Sequence, residues 1–207
     1  MEPQAKRLLR IAGLEVAQFL WTEDINEAIG FAREIGYPVV VKVVSPDIIH
    51  KSDVNGVVAG VSDDAMLNDV FRKMTRIRGF QGIIVEEYIH GIELIIGMKV
   101  DQQFGPIIML GMGGTAVELY KDVALRMAPL RQEDVESMLY SLKSYPLLYG
   151  YRGSDRINIK ALTHMVLTFS GLVMECSERV ESIDLNPVIC NATRCVIADA
   201  RILLARK

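Results

Sequence analysis

Apolar residues recur every three or four positions in five stretches of the sequence, a spacing typical of helices that pack one face on a core. We predict helices over residues 4–12, 22–35, 62–77, 135–142 and 159–173. Gly13 and Gly36 follow the first two stretches as stop signals. Thr22 is the expected N-terminal cap of the second helix, with Glu23 and Asp24 in its first turn.

Runs of β-branched and aliphatic residues between these stretches predict strands. The expected strands cover residues 38–44, 83–85, 94–100, 107–110, 183–189 and 195–202. The first is apolar on both faces, as in a buried strand, and the polar turn 191–194 joins the last two. Helices and strands alternate at first and strands then pair locally. We therefore predict an α+β (or α/β) fold of two lobes rather than one open parallel sheet.

Composition excludes several classes of function. The chain has 207 residues, half of them apolar, and a net charge of -3, and no basic stripe suggests a nucleic-acid partner. The longest apolar runs, such as 38–41 and 107–110, are much shorter than the roughly 20 residues that span a bilayer. Residues 1–4 lack the features of a signal peptide. We expect a protein with no nucleic-acid or membrane partner.

The three cysteines, Cys176, Cys190 and Cys195, form no CxxC pair. Their odd number argues against a disulfide framework, so we expect a reducing, cytoplasmic location. Neither His90 nor His164 has ligand-like spacing to these thiols, which makes a zinc site unlikely on sequence grounds.

Lys42 interrupts the apolar run 39–44. A buried ammonium group is costly unless it is paired. One interpretation is a lysine on an edge strand whose amino group reaches water. The other is a lysine aimed at an anion in a cleft, such as a nucleotide phosphate, and the residue alone favours neither.

His50 lies in the polar loop 45–53 that follows this strand, beside Lys51 and near Asp47 and Asp53. Its imidazole is a candidate general base or phosphoryl acceptor, although a lone loop histidine is more often an ordinary surface residue. For His90 and His164 only the ordinary interpretation applies.

Two other segments are weaker signals. Residues 86–89 follow a short strand, where main-chain groups can read an adenine edge and Glu93 can hold ribose hydroxyls, but a solvated acidic turn is the simpler interpretation. The glycine-rich segment 111–115 lets main-chain N–H groups approach an anion. It matches neither the P-loop nor the GxGxxG pattern, and a tight turn explains it equally well.

Asp184 and Asn186 are two residues apart, so on a strand their side chains point to the same side. Asp199 lies on the next predicted strand, and a hairpin would bring the three oxygen-bearing side chains together. Such ligands suit Mg²⁺ bound to phosphates. An Asx turn at Pro187 with a satisfied buried aspartate is the structural alternative, and strand placement favours the metal.

Several of these segments occur together and in order in a known family. The motifs are Gly36–Lys42, Ser45–Asp53, Phe104–Pro106, Gly111–Gly114, Lys121–Val123 with Arg126–Leu130, Gly150–Gly153 and Asp184–Pro187. As a set they resemble the ATP-grasp domain of ADP-forming acetyl-CoA synthetases, and more distantly the β subunits of succinyl-CoA synthetases. The resemblance covers essentially the whole chain.

The resemblance implies an ATP-grasp fold with nucleotide between two lobes, the first over residues 22–89 and the second over 1–21 with 90–207. It assigns nucleotide phosphates to Lys42, ribose to Glu93, and the adenine pocket to Glu86, Glu87, Tyr88 and Ile89. Asn186 and Asp199 would hold Mg²⁺, with Asp184 nearby. Arg126 would neutralise the transferring phosphoryl group, and His50 would accept it.

The implied reaction is acid + CoA + ATP giving acyl-CoA + ADP + phosphate, and its reverse, through acyl phosphate and phosphohistidine. The cofactors would be ATP/ADP and Mg²⁺. CoA binding and the chemistry of the carboxylic acid would belong to a partner subunit or a fused domain. Phosphoryl transfer requires mainly positioning and charge neutralisation, which Lys42, Arg126 and Mg²⁺ would supply.

Three departures from the family pattern stand out. The segment 57–82 is short, Asn55 replaces the usual glycine, and Glu86-Glu87-Tyr88 replaces the commoner Gln-Glu-Met.

A noncatalytic nucleotide-sensing domain of a larger acyltransferase-type protein is the alternative function. Such domains usually lose the histidine or the metal residues, which are present here. A stand-alone carboxylate–amine ligase would suit the fold but not the loop around His50.

Overall fold

The structure is a computed structural model that describes residues 1–48, 51–114, 122–151 and 155–205. Its helices are α1 (Glu2–Ile11), α2 (Ile25–Ile35), α3 (Asp64–Met74), α4 (Gln132–Ser141), α5 (Tyr145–Leu148) and α6 (Ile159–Cys176), with a 3-10 turn at Lys51–Val54. Its strands are β1 (Phe19–Thr22), β2 (Val39–Val43), β3 (Val57–Val61), β4 (Ile83–Glu87), β5 (Ile92–Asp101), β6 (Gly105–Met112), β7 (Val123–Met127), β8 (Val180–Cys190), β9 (Cys195–Ile197) and β10 (Ala200–Leu204).

The chain divides into two compact units. The first contains Ala17–Ile89 together with Met1, and the second combines Glu2–Val16 with His90–Lys207. Residues 17–21, which we assigned to the second lobe, belong to the first unit. The reason is that β1 pairs with β4, from Phe19 opposite Glu86 to Thr22 opposite Ile83.

The first unit is an antiparallel sheet in the order β1-β4-β2-β3, covered on one face by α2 and α3. Alternation along the strands decides which residues enter its core. Val39, Val41, Val43, Ile83 and Val85 belong to the core cluster with Ala28, Ala32, Leu67, Val70 and Met74. The intervening residues, Lys42 among them, therefore lie on the opposite face of this sheet.

The second unit is an antiparallel sheet in the order β10-β8-β5-β6-β7, with β9 also paired to β8. Helix α4 contacts β6 and β7, α6 contacts β6 and β9, and α1 contacts β10. By length and composition alone α6 could cross a membrane, a test that core helices also pass. Its residues Leu162, Val166, Phe169 and Val173 are buried within the protein.

Several predicted boundaries need correction. Asp24, not Thr22, caps α2, because its Oδ1 accepts a hydrogen bond from Asn26 N at 2.7 Å. Thr22 instead ends β1, and its hydroxyl accepts from Asp24 N at 3.0 Å. Helix α3 ends at Met74 rather than near residue 77. The predicted strand 195–202 is two strands, β9 and β10, which pair with different parts of β8 and are separated by Ala198 and Asp199.

The expectation of no disulfide is wrong for one pair of cysteines. Cys190 and Cys195 are opposite each other in the β8–β9 hairpin, with a Cα–Cα distance of 4.1 Å, and form a disulfide. Cys176 is free. Counting cysteines could not reveal this pairing, because it depends on the hairpin register. Cytoplasmic location therefore stays a prediction without support from the cysteines.

Asp122 connects the start of β7 to the link between α4 and α5. Its carboxylate oxygens accept hydrogen bonds from Lys143 N at 2.7 Å and from Ser144 N at 2.8 Å, and the residue is buried. Burial acts to raise the pKa of this carboxyl, but hydrogen bonds from Ser144 and Lys143 outweigh it and lower the pKa. The folded state thus favours the ionised form.

We expect Asp122→Ala to lower the free energy of unfolding by about 2 kcal/mol, because two amides lose their acceptor. The depressed pKa means that the contribution of Asp122 is fully present above the unfolded-state pKa of about 3.9. It is lost as pH falls through the lower folded-state pKa. Urea unfolding followed by circular dichroism at several pH values measures both effects. The matched control is Asp69→Ala, an exposed aspartate of α3, with an expected change within about 0.5 kcal/mol. Equal losses in the two variants would contradict the assignment.

Candidate functional site

Lys42 and Glu86 form a buried ion pair on the first sheet. Lys42 lies on β2 and Glu86 on β4, where Glu86 is opposite Val40 and thus diagonal to Lys42. The residues are only 5% and 2% exposed. Strand β2 has neighbours on both sides, so the interpretation of Lys42 as an edge-strand lysine is wrong. The lysine head is held inside the protein beside a carboxylate, which offsets the cost of burying either charge.

The residues after Glu86 lead out of β4. The carboxylate of Glu87 accepts a hydrogen bond from Gln18 N at 3.0 Å, and Glu87 N donates to Gln18 O at 3.0 Å. Tyr88 is 36% exposed, and Ile89 is buried. The structure therefore brings Lys42 together with Glu86. Glu87, by contrast, is hydrogen-bonded to Gln18 in the segment before β1.

One face of the second sheet carries the acidic candidates. Asp184 is opposite Gly97 of β5, which is opposite Met109 of β6, and residues directly opposite each other share a face. Asp184 and Asn186 are exposed and alternate with the buried residues Ile183 and Leu185. Glu93 is four residues before Gly97 on β5, so it lies on this face too. We call this surface the acidic face.

A bulge in β8 positions the third metal candidate. Leu94 is opposite Val188 and Ile96 is opposite Leu185, so two residues of β8, Asn186 and Pro187, face a single residue of β5. Bulges redirect side chains and are common beside functional sites. Across the other edge of β8, Ala198 N and Asp199 N both donate to Pro187 O, at 3.0 and 3.4 Å. This arrangement places Asp199 beside the bulge, as predicted from the hairpin.

The charges of Asp184 and Asp199 interact. Although Asp184 is exposed, desolvation by its surroundings raises the pKa of its carboxyl, and the charge of Asp199 raises it further, against a smaller opposing effect of Arg201. A divalent cation would relieve this repulsion. Within the described ranges no three His, Cys, Asp or Glu side chains are grouped to hold a metal by themselves. Two carboxylates and an amide, completed by phosphate oxygens and water, are the ligands that Mg²⁺ takes in nucleotide sites.

Arg126 lies on the opposite face of the same sheet. It is opposite Ile108 on β6, whereas its neighbour Leu125 is opposite Met109 of the acidic face. Its Nη2 donates to Ser137 Oγ of α4 at 2.8 Å and its Nη1 to Leu125 O at 2.8 Å. The structure therefore does not bring Arg126 together with Asp184 and Asn186.

The glycine-rich segment has a packing role in its described part. Gly113 N donates to Glu93 O at 2.7 Å, and a Cβ on Gly113 would lie 2.9 Å from Leu94 N. A Cβ on Gly114 would meet Glu93 Oε2 at 2.7 Å. Glycine is thus needed for close approach to β5. Residues 115–121, which continue the segment, are outside the described residues.

His50 also lies outside the described residues, together with Ile49. Its neighbours are placed, with Lys51 and Asp53 in the 3-10 turn. Asp47, three residues before His50, forms an ion pair with Arg78, with 3.3 Å between Oδ2 and Nε. Sequence reasoning missed Arg78, because a contact between residues 31 positions apart leaves no local pattern.

The sequence matches the ATP-grasp domain family over residues 1–204. The chain belongs to this family. It is 40% identical over 212 residues to the acetate–CoA ligase (ADP-forming) I subunit beta of Pyrococcus furiosus, covering 99% of this chain and 91% of that protein. Against the acetate–CoA ligase (ADP-forming) I of Archaeoglobus fulgidus the identity is 39%, covering 97% of this chain but 30% of the longer relative.

Solved structures agree with this assignment. Two structures of the dinucleotide-forming acetyl-coenzyme A synthetase 1 of Ca. Korarchaeum cryptofilum superpose with TM-scores of 0.92 and 0.86, each at 38% identity and covering 99% of this chain and 92% of theirs. The first contains coenzyme A and Ca-AMPCP. The second contains coenzyme A and Mg-AMPPCP, with its phosphohistidine segment pointing towards the nucleotide site. The predicted ATP-grasp fold and family are thus confirmed.

We expect protons to compete with Mg²⁺ at Asp184 of this ATP-grasp chain. The raised pKa means that its carboxyl takes up a proton at a higher pH than an ordinary aspartate. The Kd for AMPPCP with Mg²⁺ should therefore increase as pH falls, by up to about tenfold per pH unit below that pKa. Calorimetry over a pH series measures this slope.

Asp184→Asn should flatten the pH slope, whereas Glu181→Gln, an exposed carboxylate of the same strand, should leave it unchanged. Titrations without metal provide the second control, because binding that needs no Mg²⁺ should show a weak slope. An unaltered slope in Asp184→Asn would exclude this aspartate as a metal ligand.

Proposed function

We propose that this chain is the nucleotide-binding subunit or domain of an ADP-forming acid–CoA ligase. The reaction is acid + CoA + ATP giving acyl-CoA + ADP + phosphate, and its reverse. The observation that carries the proposal is the end-to-end match to a β subunit of acetate–CoA ligase, which covers 99% of this chain and 91% of that subunit. A match of that extent includes both units and both sheets.

The proposed ligands are ATP or ADP with Mg²⁺. In the first unit, the ammonium group of Lys42 binds nucleotide phosphates, with Glu86 to Ile89 at the adenine. Glu93, on β5 of the second sheet, binds the ribose. On the second sheet, Asp184, Asn186 and Asp199 hold Mg²⁺, which neutralises phosphate charge when bound. Arg126 as a phosphoryl-neutralising residue stays a prediction, since its guanidinium contacts Ser137 of α4 here.

His50 is the proposed phosphoryl acceptor. A ring nitrogen attacks the γ-phosphorus of ATP, a nitrogen–phosphorus bond forms, and ADP leaves with the electrons of the broken phosphorus–oxygen bond. In the reverse direction ADP attacks phosphohistidine and regenerates ATP. Imidazole suits this step because it is largely neutral and nucleophilic near neutral pH. The Korarchaeum enzyme has a phosphohistidine segment that points towards its nucleotide-binding site, which supports phosphohistidine chemistry in this family. The assignment of the role to His50 rests on the resemblance of the loop 45–53 to the family motif.

A CoA-binding partner is the second component of the proposed enzyme. In the Pyrococcus relative the matching protein is a separate beta subunit. In the Archaeoglobus relative the matching region is 30% of one chain. We propose that the remaining part of such fused proteins corresponds to a partner subunit or a fused domain of this protein, which binds CoA and carries the carboxylic acid as acyl phosphate.

We expect His50→Gln to abolish the transfer of label from γ-labelled ATP to the protein and net acyl-CoA synthesis in the assembled enzyme. ATP affinity should change little, because the imidazole reacts with the terminal phosphate without holding the nucleotide. The labelled wild-type chain should carry acid-labile, base-stable phosphate, which quenched-flow filtration measures.

His90→Gln and His164→Gln provide matched controls, since they remove the other two histidines of the chain. Both should label at the wild-type rate. If His50→Gln still labels and turns over, His50 is not the carrier. If the wild-type enzyme binds ATP but neither labels nor turns over with its partner, the noncatalytic nucleotide-sensing function is correct instead.

A further inference from the structure

The chain that leads from β2 to His50 is fastened to the turn before β4. Val44 N donates to Gly82 O at 2.9 Å, and Gln81 N donates to Val44 O at 2.8 Å. On its other side the same turn is held by β1, because Trp21 Nε1 donates to Gln81 O at 2.7 Å. Hydrogen bonds from two sides thus hold this turn in place within the first unit.

Ser45 extends this attachment by one residue. Its hydroxyl donates to Arg78 O at 2.8 Å and accepts from Asp47 N at 3.1 Å. Gly79 permits the approach, because a Cβ there would lie 2.8 Å from both Ser45 Oγ and Asp47 Oδ2. Its φ of +68° is also a backbone conformation that favours glycine. The Ser45 hydroxyl therefore links the turn before β4 to the start of the loop 45–53.

Asp47 and Ile48 complete the contact. Asp47 Oδ2 lies 3.3 Å from Arg78 Nε, and Ile48 packs against the core of the first unit. Together with Val54 and Ile77, these residues line a groove of about 460 Å³. The side chains of Arg78 and Asp47 are 90% and 45% exposed, and exposed ion pairs contribute little to stability. We therefore expect this ion pair to add little to the stability of the fold.

Backbone hydrogen bonds also hold the chain directly after His50. Lys51 O accepts from Gly56 N at 2.7 Å, and Gly56 O accepts from Val43 N at 2.8 Å. His50 is one residue from Lys51 and three from Asp47. Chain geometry alone keeps its Cα within about 11 Å of the Cα of Asp47. The position of Asp47 therefore limits the region that the histidine can reach.

We propose that Ser45, Asp47 and Arg78 are positioning residues for phosphoryl transfer at His50. We call the three the root clamp. By fixing the start of the loop on the turn before β4, the clamp narrows the range of positions from which the imidazole meets phosphorus. None of the three touches substrate in this role. This inference rests on the proposed carrier function of His50.

The test measures two quantities in the enzyme assembled with its CoA-binding partner. One is the rate constant for labelling from γ-labelled ATP with Mg²⁺ in a single turnover, and the other is the Kd of ATP. Ser45→Ala should lower the rate about tenfold, since small misplacements of a reacting group cost that much or more. Its Kd should stay within about twofold of wild type, and Ser45→Thr, which keeps the hydroxyl, should recover most of the rate.

The ion pair is tested by reversing it. Arg78→Asp should lower the rate several-fold by placing two negative charges together, and the double variant D47R/R78D should restore it. The matched control is D69R/R72D, which reverses another exposed ion pair of the first unit, on α3. It should label at the wild-type rate. Because Asp47 and Arg78 are exposed, these variants should fold even if Ser45→Ala does not.

One outcome would overturn the root clamp but leave the carrier function of His50 intact. In it, Ser45→Ala and Arg78→Asp are labelled at the wild-type rate, and His50→Gln is not labelled. Parallel losses of rate and ATP affinity, or no recovery in the double variant, would also overturn it, since they indicate a general structural role. Labelling of His50→Gln would instead remove the carrier function itself.

Discussion

The buried ion pair between Lys42 and Glu86 is the constraint around which the first unit is arranged. Burying either charge alone would be strongly unfavourable, so β2 and β4 must be neighbours for the lysine to have its carboxylate. The same register puts Val39, Val41 and Val43 into the core beneath α2 and α3. Replacing a buried ion pair by apolar residues often increases stability. Its presence in the first sheet is in keeping with the proposed role of Lys42 in binding nucleotide phosphates.

In the second unit, too, the sheet separates charged side chains from an apolar core. Its sheet separates an apolar face, with Ile183 and Ile108, from the acidic face that carries Asp184 and Asn186. The bulge at Asn186 and Pro187 adds Asp199 to this group through two amides that share one carbonyl. Strand alternation and one bulge are sufficient to bring oxygen-bearing side chains together from three separate positions of the sequence.

Local pattern predicted much of this fold. Helical spacing located α1, α2, α3, α4 and α6, and the hairpin of β5 and β6 followed from two apolar runs around a polar turn. The short strands β1, β3 and β7 were missed. Asp24 displaced Thr22 as a cap, since the side chains of both residues suit that position and only the end of β1 distinguishes them.

The candidate site was harder to predict than the fold. The proximity of Asp184, Asn186 and Asp199 could be inferred from a predicted hairpin. The face of the sheet on which Arg126 lies could not be inferred, because it depends on the register of β6 and β7. The disulfide and the contact between Asp47 and Arg78 likewise depend on tertiary placement. The family motifs identified residue types and order, but they do not specify which face of a strand each side chain occupies.

The most direct test of this account compares ATP binding and stability in Lys42→Met and Glu86→Gln. We expect Lys42→Met to weaken ATP binding by about tenfold to a hundredfold, as for loss of a charged hydrogen bond of 1.5–3 kcal/mol. Glu86→Gln should lose about 3–5 kcal/mol of stability, because it removes the negative charge beside a buried ammonium group. ATP with Mg²⁺ should then stabilise this variant more than wild type, since phosphate replaces the missing counter-ion. Wild-type ATP affinity in Lys42→Met, with unchanged stability in Glu86→Gln, would contradict the account.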